Sequence, residues 1–349
     1  MSAPVVVITP NLRGRDGISR LARLVTESFD EVTVLALHEP LSADTFGSAS
    51  VAGAGGRSWR FIASALGRAA LANRHTNVIV THVHLAPAGL AFTARGASLT
   101  MILCGVEAWK PLSRLQRAAL DRSERLIAIS QFTSDRFTAA NPHCAARTIS
   151  VCHLGVGVLP ESYQRPTGPP SALIVGRMAG EERYKGHDLL IDIWHDVVAA
   201  VPGAILRIVG GGDDRRRLEQ KAAALNLSGQ AVFLGRIDEQ SLHREYERCT
   251  AFVMPSRDEG FGFVFVEAMR AARACLGSRG AAGEIIVDAE TGLLVEPGNR
   301  AQLLEAVVRL LRDPAATDAM GARGRLRFLK EFTDDRFRGR FTALVPVAS

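Results

Sequence analysis

Residues 254 to 269, MPSRDEGFGFVFVEAM, place two glycines and two glutamates in one short apolar stretch. Gly260 and Gly262 argue against a helix through the whole segment, because each glycine costs about 1 kcal/mol against alanine in a helix interior. The stretch predicts a strand that ends near 256, a glycine turn, and a helix that begins near Phe263. Unpaired backbone N–H groups and the positive end of the helix dipole point outward at such a start.

The two glutamates of this stretch can turn toward one bound molecule. Glu259 stands at the mouth of the turn, and Glu267 lies on the first turns of the predicted helix. Carboxylates accept hydrogen bonds from hydroxyl groups, whereas backbone N–H groups suit phosphate. A ligand that carries both a diphosphate and sugar hydroxyls therefore fits. A helix start with acids favoured by the dipole alone would account for Glu259, but not for the paired glycines.

The rest of the chain alternates between short β-rich apolar runs and longer segments of helical period, a pattern typical of α/β proteins with parallel sheets. At 349 residues, with 47% hydrophobic residues, the chain is long enough for two globular domains. A segment with four prolines, LPESYQRPTGPPS, interrupts the alternation at 159–171. The predicted strands cover residues 5–9, 32–37, 77–82, 99–104, 125–130, 148–153, 172–177, 204–210, 231–236, 250–256, 274–278 and 291–297.

Composition excludes several classes of protein. No apolar run reaches the roughly 18 residues of a membrane span, and MSAPVVVITP has no basic segment before its apolar one, so it predicts a first strand rather than a signal peptide. We therefore expect a cytoplasmic protein. The five cysteines are odd in number and include no C-x-x-C pair, which argues against a disulfide framework and a zinc site.

The positive net charge lies entirely in the first half of the chain. Residues 1–160 hold 16 Lys and Arg against 10 Asp and Glu, whereas residues 161–349 hold 26 of each. A basic half suits an anionic membrane surface, an acidic acceptor or nucleic acid, and scattered surface charge is the plain alternative. With 6% aromatic residues and no recognisable reading helix, nucleic acid is not expected as a partner.

Ligands of doubly wound sheets bind beyond the carboxyl ends of the strands. Gly176 and Arg177 end the strand predicted at 172–177, and Lys185 follows with a glycine beside it, which favours phosphate binding. GGGDDR at 210–215 fails the G-x-G-x-x-G dinucleotide fingerprint, because Arg215 stands where the last glycine is needed. A tight strand-to-helix turn is favoured there, and an oxidoreductase is disfavoured.

EGFGFVFVEAM resembles the E-x7-E segment of the retaining glycosyltransferases of family 4, which have the GT-B fold. The similarity continues in the family's order through GRMAGEERYKGHD, LRIVGGGDD and AAGEIIVDAETGLLVEPGN. In the first half, GRDGISRLA, with Gly14 and Gly17, resembles the family's glycine-bearing loop, and CGVEAWKPL resembles its acceptor-side loop. The resemblance implies two doubly wound Rossmann-like domains that face each other across a cleft. These are an acceptor-binding domain at 1–160, a linker at 161–171, a donor-binding domain at 172–325, and a C-terminal helix at 326–349 that returns to the first domain.

The same resemblance implies transfer of a sugar from a nucleoside diphosphate sugar, with retention and without a metal or other cofactor. Arg177 and Lys185 would bind the donor diphosphate and stabilise the leaving group. Glu267 would hold the ribose hydroxyls, and Glu259 would hold the transferred sugar as a catalytic residue but not as a nucleophile. The remaining donor-binding residues would be Gly14, Gly17, Gly176, Gly260, Phe261, Gly262 and Phe263.

The chain departs from the family at Cys104, where relatives commonly carry histidine. The role of that histidine would be unfilled or would move to His82, His84 or Glu107 on the acceptor side. RAARACLGS also replaces the glycine-x-proline that commonly follows EAM.

The ERYKGHD form of the lysine motif resembles members that use GDP-mannose more than those that use UDP-sugars. The expected acceptor is a saccharide or a polyprenyl diphosphate-linked saccharide of polysaccharide or lipopolysaccharide assembly. Peripheral contact with the anionic inner face of the cell membrane accompanies that expectation. A nucleotide-sugar epimerase on the same fold and a catalytically silent nucleotide-sugar-binding subunit stay open as alternatives.

Overall fold

The computed structural model describes residues 4–41, 43–158, 166 and 168–346, and its contacts divide the chain into two compact units. The first unit combines Met1–Gly155 with Asp334–Ser349, and the second is Val156–Thr333. The first unit therefore reaches Gly155, whereas the sequence analysis placed the end of the first domain at 160. The second unit ends at Thr333, whereas the sequence analysis placed the end of the donor-binding domain at 325. Much of the predicted linker at 161–171 lies outside the described residues, which omit 159–165 and 167.

The first unit is built on an eight-stranded sheet. Its strands are β1 (Val5–Thr9), β2 (Val32–Ala36), β3 (Ala43–Phe46), β4 (Ala49–Gly53), β5 (Asn77–Val80), β6 (Ser98–Leu103), β7 (Arg125–Ala128) and β8 (Ile149–Val151). The order across the sheet is β3-β4-β2-β1-β5-β6-β7-β8, and only β3 and β4 pair antiparallel. β1 and β5 are buried along their whole length, as expected of central strands covered on both faces.

Helices cover this sheet. They are α1 (Gly17–Thr26), α2 (Ser58–Ala70), α3 (Ala86–Thr93), α4 (Arg114–Asp121) and α5 (Gln131–Ala140). Asp16 begins α1 by accepting a 2.9 Å hydrogen bond from the Ser19 N–H. α2 buries Phe61, Ala65 and Ala69, one residue per turn, against the core.

The second unit has a fully parallel six-stranded sheet. Its strands are β9 (Ser171–Val175), β10 (Ile205–Val209), β11 (Ala231–Gly235), β12 (Ala251–Met254), β13 (Ala274–Ser278) and β14 (Gly292–Val295). The order is β11-β10-β9-β12-β13-β14, so the chain winds one way from β9 and the other way from β12. Such a reversal opens a crevice beyond the carboxyl ends of the two central strands, where doubly wound sheets bind ligands.

The remaining helices are α6 (His187–Ala200), α7 (Arg215–Ala224), α8 (Glu239–Arg248), α9 (Phe263–Arg270), α10 (Ala282–Ile285), α11 (Arg300–Arg312), α12 (Pro314–Glu331) and α13 (Asp334–Leu344). α13 contacts α1 of the first unit, and the Phe341 ring lies 6.2 Å from that of Phe29 in an edge-on arrangement. The last helix therefore packs on the unit in which the chain begins.

Every strand predicted from the sequence is present, with ends that differ by a few residues. The predicted helix start near Phe263 is confirmed by α9. The prediction missed β3 and β4, whose sequences ADTF and ASVAG are short and weakly apolar. They form an antiparallel hairpin at the sheet edge, where backbone pairing needs little apolar side-chain area.

Glycine at position 210 allows two strand ends to approach each other. Gly210 has φ +137°, and an added Cβ would lie 1.9 Å from the Gly176 carbonyl oxygen. Gly176 in turn donates its N–H to the Val209 carbonyl oxygen at 3.0 Å. A side chain at 210 would therefore push the end of β10 away from that of β9.

We expect Gly210→Ala to destabilise the protein more than Gly203→Ala. Gly203 has φ +80° and no heavy atom within 4 Å of an added Cβ, so its substitution measures only the backbone penalty, about 1–2 kcal/mol. Gly210→Ala adds a steric overlap worth about 1–3 kcal/mol. Urea unfolding of both variants checks the difference, and equal losses would contradict the close approach.

Candidate active site

The loops that follow β9 and β12 meet at the reversal point of the second sheet. A short 3-10 helix, Gly180–Lys185, lies in the first loop, and the Arg257 N–H of the second donates to the Tyr184 carbonyl oxygen at 3.0 Å. Gly186 has φ +90°, and an added Cβ would lie 2.6 Å from the Pro255 Cγ. Glycine at 186 therefore allows the two loops to touch.

Two cations and two carboxylates meet in these loops. Arg177 Nη2 pairs with Glu182 Oε1, and Lys185 Nζ lies 3.9 Å from Glu182 Oε2 and 3.6 Å from Glu259 Oε2. The sequence analysis had selected Arg177, Lys185 and Glu259 but had missed Glu182. The three-residue spacing of Glu182 and Lys185 is a signal that could have identified it.

Both carboxylates keep one oxygen without a hydrogen bond. Glu182 Oε2 and Glu259 Oε2 are buried and accept no hydrogen bond from any residue that the structure describes. Lys185 Nζ is too distant to donate a normal hydrogen bond to either oxygen. A ligand with hydroxyl donors would supply the hydrogen bonds that both oxygens lack.

Charge and burial shift the pKa values of neighbouring groups. Burial, and after it Glu182 and Glu259, raise the pKa of Tyr184. Burial, and after it Lys185, lower the pKa of His187 to about 4. His187 is therefore neutral at physiological pH and adds no charge beside Lys185.

The GGGDD segment forms the tight strand-to-helix turn that the sequence favoured. Met178 donates its N–H to the Gly211 carbonyl oxygen at 3.1 Å, and the Asp214 N–H returns to Met178 at 2.9 Å. Asp214 also pairs with Arg217 at 2.6 Å and with Arg183 at 3.0 Å. These two cations lower the pKa of Asp214 to about 2, although burial alone would raise it. Arg183 is thus held by a carboxylate outside the Glu182 cluster.

The glycine turn opens α9 as predicted. Gly262 caps the helix at φ +97°, and an added Cβ would lie 2.7 Å from a Phe265 ring carbon. Gly260 precedes the buried Phe261, whose ring lies 5.8 Å from that of Phe263. The turn is therefore anchored by aromatic packing on its inner side.

Glu267 lies half-buried on α9 with a partner that the sequence analysis missed. Tyr246 donates its hydroxyl to Glu267 Oε2 at 2.9 Å. Burial, and after it Glu267, raise the pKa of Tyr246, so the phenol stays protonated and donates to the carboxylate. Tyr246 therefore orients Glu267.

The predicted residues of the first unit lie in loops after β1, β5 and β6, which are neighbours in the sheet. Gly17 is the first residue of α1, and an added Cβ at Gly14 would lie 2.3 Å from Ser19 Oγ. Arg23 Nη1 also donates to the Gly14 carbonyl oxygen at 2.7 Å. The glycine loop is thus held tightly against the start of α1.

His82, His84, Cys104 and Glu107 follow β5 and β6. The His84 N–H donates to His82 Nδ1 at 3.3 Å, and the Cys104 thiol donates to the Thr81 carbonyl oxygen at 2.7 Å. Glu107 Oε1 is buried and accepts no hydrogen bond from the described part of the chain.

Burial shifts the pKa values of three of these groups. Burial, and after it His84, lower the pKa of His82 to about 4. Burial raises the pKa of Cys104 and of Glu107, and Glu107 raises that of Cys104 further. Cys104 is therefore a protonated thiol that cannot act as the base a histidine would provide.

Among residues 4–41, 43–158, 166 and 168–346, no group of three or more His, Cys, Asp and Glu side chains is arranged to hold a metal ion. Within the same residues, no helix combines the length and the apolar character needed to cross a membrane.

The chain is similar in sequence to proteins of known families. Residues 158–327, most of the second unit, match the family described as glycosyl transferases group 1. A glycogen synthase of Mycobacterium tuberculosis is 29% identical over 75% of this chain and 61% of its own length. A GDP-mannose-dependent monoacylated alpha-(1-6)-phosphatidylinositol monomannoside mannosyltransferase of Corynebacterium glutamicum is 34% identical over 46% of this chain and 44% of its own. The chain therefore covers less than two thirds of the length of each of these two relatives.

Similarity of structure extends further along the chain. The sucrose-phosphate synthase of Thermosynechococcus elongatus superposes with a TM-score of 0.78 at 20% identity, over 98% of each chain. The α/β architecture with parallel sheets is therefore the GT-B fold expected from the sequence.

We expect the stability of the protein to fall between pH 6.5 and about 4, in part through His82. An unfolded chain binds a proton at His82 below about 6.5, whereas the folded chain does so only near pH 4, so acid favours unfolding. In His82→Asn, whose amide oxygen can still accept the His84 N–H, this loss should shrink by about 2 kcal/mol at pH 5.

Urea unfolding at pH 7 and pH 5 measures the effect. The exposed His75 of the same unit provides the control His75→Asn, which should leave the difference between the two pH values unchanged. Identical pH dependence in wild type and His82→Asn would contradict a neutral buried His82.

Proposed function

We propose that the chain is a group 1 glycosyltransferase, the family that residues 158–327 match, and that it transfers a hexose from a nucleoside diphosphate sugar to a saccharide acceptor with retention of anomeric configuration. One observation carries the proposal. Arg177 and Lys185 lie beside buried carboxylate oxygens of Glu182 and Glu259 that accept no hydrogen bond from a described residue, at the reversal point of the second sheet. Cations suit a diphosphate and unpaired carboxylate oxygens suit hydroxyl groups, and a sugar nucleotide carries both.

Arg177 and Lys185 have separate tasks in this proposal. The Arg177 side chain is 67% exposed and its planar guanidinium can grip phosphate oxygens, whereas Lys185 is 16% exposed and acts as a nearly buried point charge. Negative charge grows on the departing diphosphate in the transition state. A positioned cation at that place typically lowers the barrier by several kcal/mol.

Glu259 and Glu267 bind the hydroxyl-bearing ends of the donor. Glu259 Oε2 is buried beside Lys185 and accepts no hydrogen bond from a described residue, so it can accept one from a hydroxyl of the transferred sugar next to the diphosphate. Tyr246 occupies Oε2 of Glu267 and orients the carboxylate toward the ribose hydroxyls. The backbone of Gly260, Phe261, Gly262 and Phe263 completes the donor site.

GDP-mannose is the donor that we propose. The ERYKGHD form of the lysine motif supports it, as does a relative named as a GDP-mannose-dependent mannosyltransferase. The glycogen synthase relative keeps other hexose donors in the test. No metal is required in this proposal, because Arg177 and Lys185 supply the positive charge that faces the diphosphate.

The proposed acceptor is a saccharide or a polyprenyl diphosphate-linked saccharide, used by a cytoplasmic enzyme in peripheral contact with the inner face of the cell membrane. The positive excess of residues 1–160 supports an anionic acceptor or surface. Relatives of this family include an enzyme named for a phosphatidylinositol acceptor.

Calorimetric titration with GDP-mannose, GDP, UDP-glucose, UDP-N-acetylglucosamine and UDP, in the presence of a chelator, tests the donor site. We expect GDP-mannose and GDP to bind and the uridine nucleotides to bind at least tenfold more weakly. Selective binding of a uridine nucleotide would replace the proposed donor, and binding of none would overturn the site. A new sugar nucleotide formed without acceptor would indicate an epimerase, and donor binding without turnover on any acceptor would indicate a silent subunit.

We expect Lys185→Ala to reduce turnover at least a hundredfold, equivalent to about 2.7 kcal/mol of transition-state stabilisation. Initial rates of donor consumption measure the effect, and thermal unfolding shows whether the variant folds. Lys330, exposed on α12 of the same unit, gives the control Lys330→Ala with unchanged rates. Near-normal turnover in folded Lys185→Ala would remove this lysine from the diphosphate site.

Glu267→Ala should weaken donor binding at least tenfold, since it removes the proposed partner of the ribose hydroxyls. Tyr246→Phe should weaken it less, because the carboxylate remains while its orienting hydrogen bond is lost. Calorimetry with the donor measures both, and Glu305→Ala, an exposed glutamate of α11, is the matched control. Unchanged donor affinity in Glu267→Ala would contradict its assignment.

A further inference from the structure

A pocket of about 370 Å³ lies between α2 and α3 in the first unit. Its volume is within the range of small-molecule binding sites. Apolar side chains dominate the lining, among them Phe61, Ile62, Leu66, Leu85, Ala88 and Ala91. The residues assigned to the donor in the second unit have no part in it.

The two ends of this pocket differ in polarity. Ser58, the first residue of α2, and His84, directly after β5, line the end at the carboxyl edge of the sheet. The positive end of the α2 dipole and the exposed Arg57 are at that end. Ile62 and then Leu66 follow along the helix, so the lining becomes wholly apolar away from the edge.

The pocket opens on an apolar surface of α2. Ile62 and Leu66 line the pocket and are still 54% and 56% exposed, and Trp59 is 65% exposed on the same helix. A group of large apolar side chains exposed side by side is typical of a surface that binds a ligand or a partner.

The sequence segment that forms this surface carries charge of one sign. No Asp or Glu occurs between Asp44 and Glu107, whereas five arginines do, four of them at 57, 60, 68 and 74 in or next to α2. An anionic partner is therefore attracted to the surface without repulsion from nearby acids in the sequence.

We propose that this pocket binds one hydrocarbon chain of an anionic lipid acceptor, with the lipid phosphate at the end lined by Ser58 and His84, next to Arg57 at the start of α2. An amphiphile has the same gradient as the pocket, because its charged head and apolar chain match the cationic end and the apolar body. The identification of the lipid as the acceptor rests on the proposed function. The binding itself needs neither donor nor turnover.

Calorimetry with decyl phosphate, kept below its micelle concentration, tests the pocket in the full-length protein. Ethyl phosphate carries the head without the chain, and decyl maltoside carries the chain without the charge. We expect decyl phosphate to bind at least tenfold more tightly than either control. Equal binding of ethyl phosphate would assign the signal to surface arginines and would overturn the proposal.

Paired variants of α2 locate the binding. Leu66→Ser, inside the pocket, should weaken the binding of decyl phosphate at least tenfold. Leu71→Ser should leave that binding unchanged, because Leu71 is 75% exposed and does not line the pocket. Arg57→Gln should weaken binding more than Arg74→Gln. Ala88→Phe should fill the pocket and prevent binding of decyl phosphate. If Ala88→Phe does not fold, Ala91→Phe, at another position of the lining, tests the same expectation.

Two other occupants of this pocket, a bilayer surface and a second copy of the chain, would give different results. Equal losses of binding to phosphatidylglycerol vesicles in Leu66→Ser and Leu71→Ser, with no decyl phosphate binding, would mean that α2 lies on a bilayer surface. A dimer that dissociates in Leu66→Ser, again without decyl phosphate binding, would mean that a second copy covers the pocket. Either result overturns the proposal while a positive donor titration would leave the proposed function intact.

Discussion

Charge balance at the end of β9 is the constraint on which the second unit depends. Arg177 and Lys185 repel each other unless a carboxylate lies between them, and Glu182 is that carboxylate. Because Glu182 belongs to the same short 3-10 helix as Lys185, folding of that helix brings the two cations together. Arg183, in the same helix, pairs instead with Asp214 and fixes the helix to the loop after β10. Arg183 is therefore held by Asp214, whereas Arg177 and Lys185 share Glu182 and face the proposed anion.

Backbone contact makes this arrangement rigid. Gly210 approaches Gly176, and Gly212 approaches Met178 so closely that an added Cβ would lie 2.0 Å from its carbonyl oxygen. Gly186 makes the corresponding contact with Pro255 across to the loop after β12. Without these contacts the distances from Lys185 to the two carboxylates would depend on flexible loops. Pre-organised charge is effective because it needs no rearrangement when a charged ligand reacts.

The sequence predicted the elements well because hydrophobic periodicity is local. Apolar runs located the strands of both sheets, and the glycines at 260 and 262 located the start of α9. It missed β3 at the edge of the first sheet and β4 beside it, whose sequences are short and weakly apolar. It also missed Glu182 and Tyr246, since their roles depend on partners brought close by folding. Tyr246 lies 21 residues from Glu267, and no periodicity within α8 distinguishes it from a core tyrosine.

The two units handle charge in opposite ways at the corresponding edge of their sheets. In the second unit, cations face carboxylates with unpaired oxygens. In the first, burial keeps His82 uncharged, keeps Cys104 protonated and raises the pKa of Glu107. The neutral side chains of His82 and Cys104 suit hydroxyl groups better than phosphate, because they can exchange hydrogen bonds without holding a charge away from water. Replacement of histidine by Cys104 is consistent with this neutrality, since a buried thiol donates to the Thr81 carbonyl oxygen and needs no counter-ion. In the proposed function, the positive charge that a lipid phosphate requires comes from the arginines of α2, and Cys104 and Glu107 in the loop after β6 remain to contact the sugar.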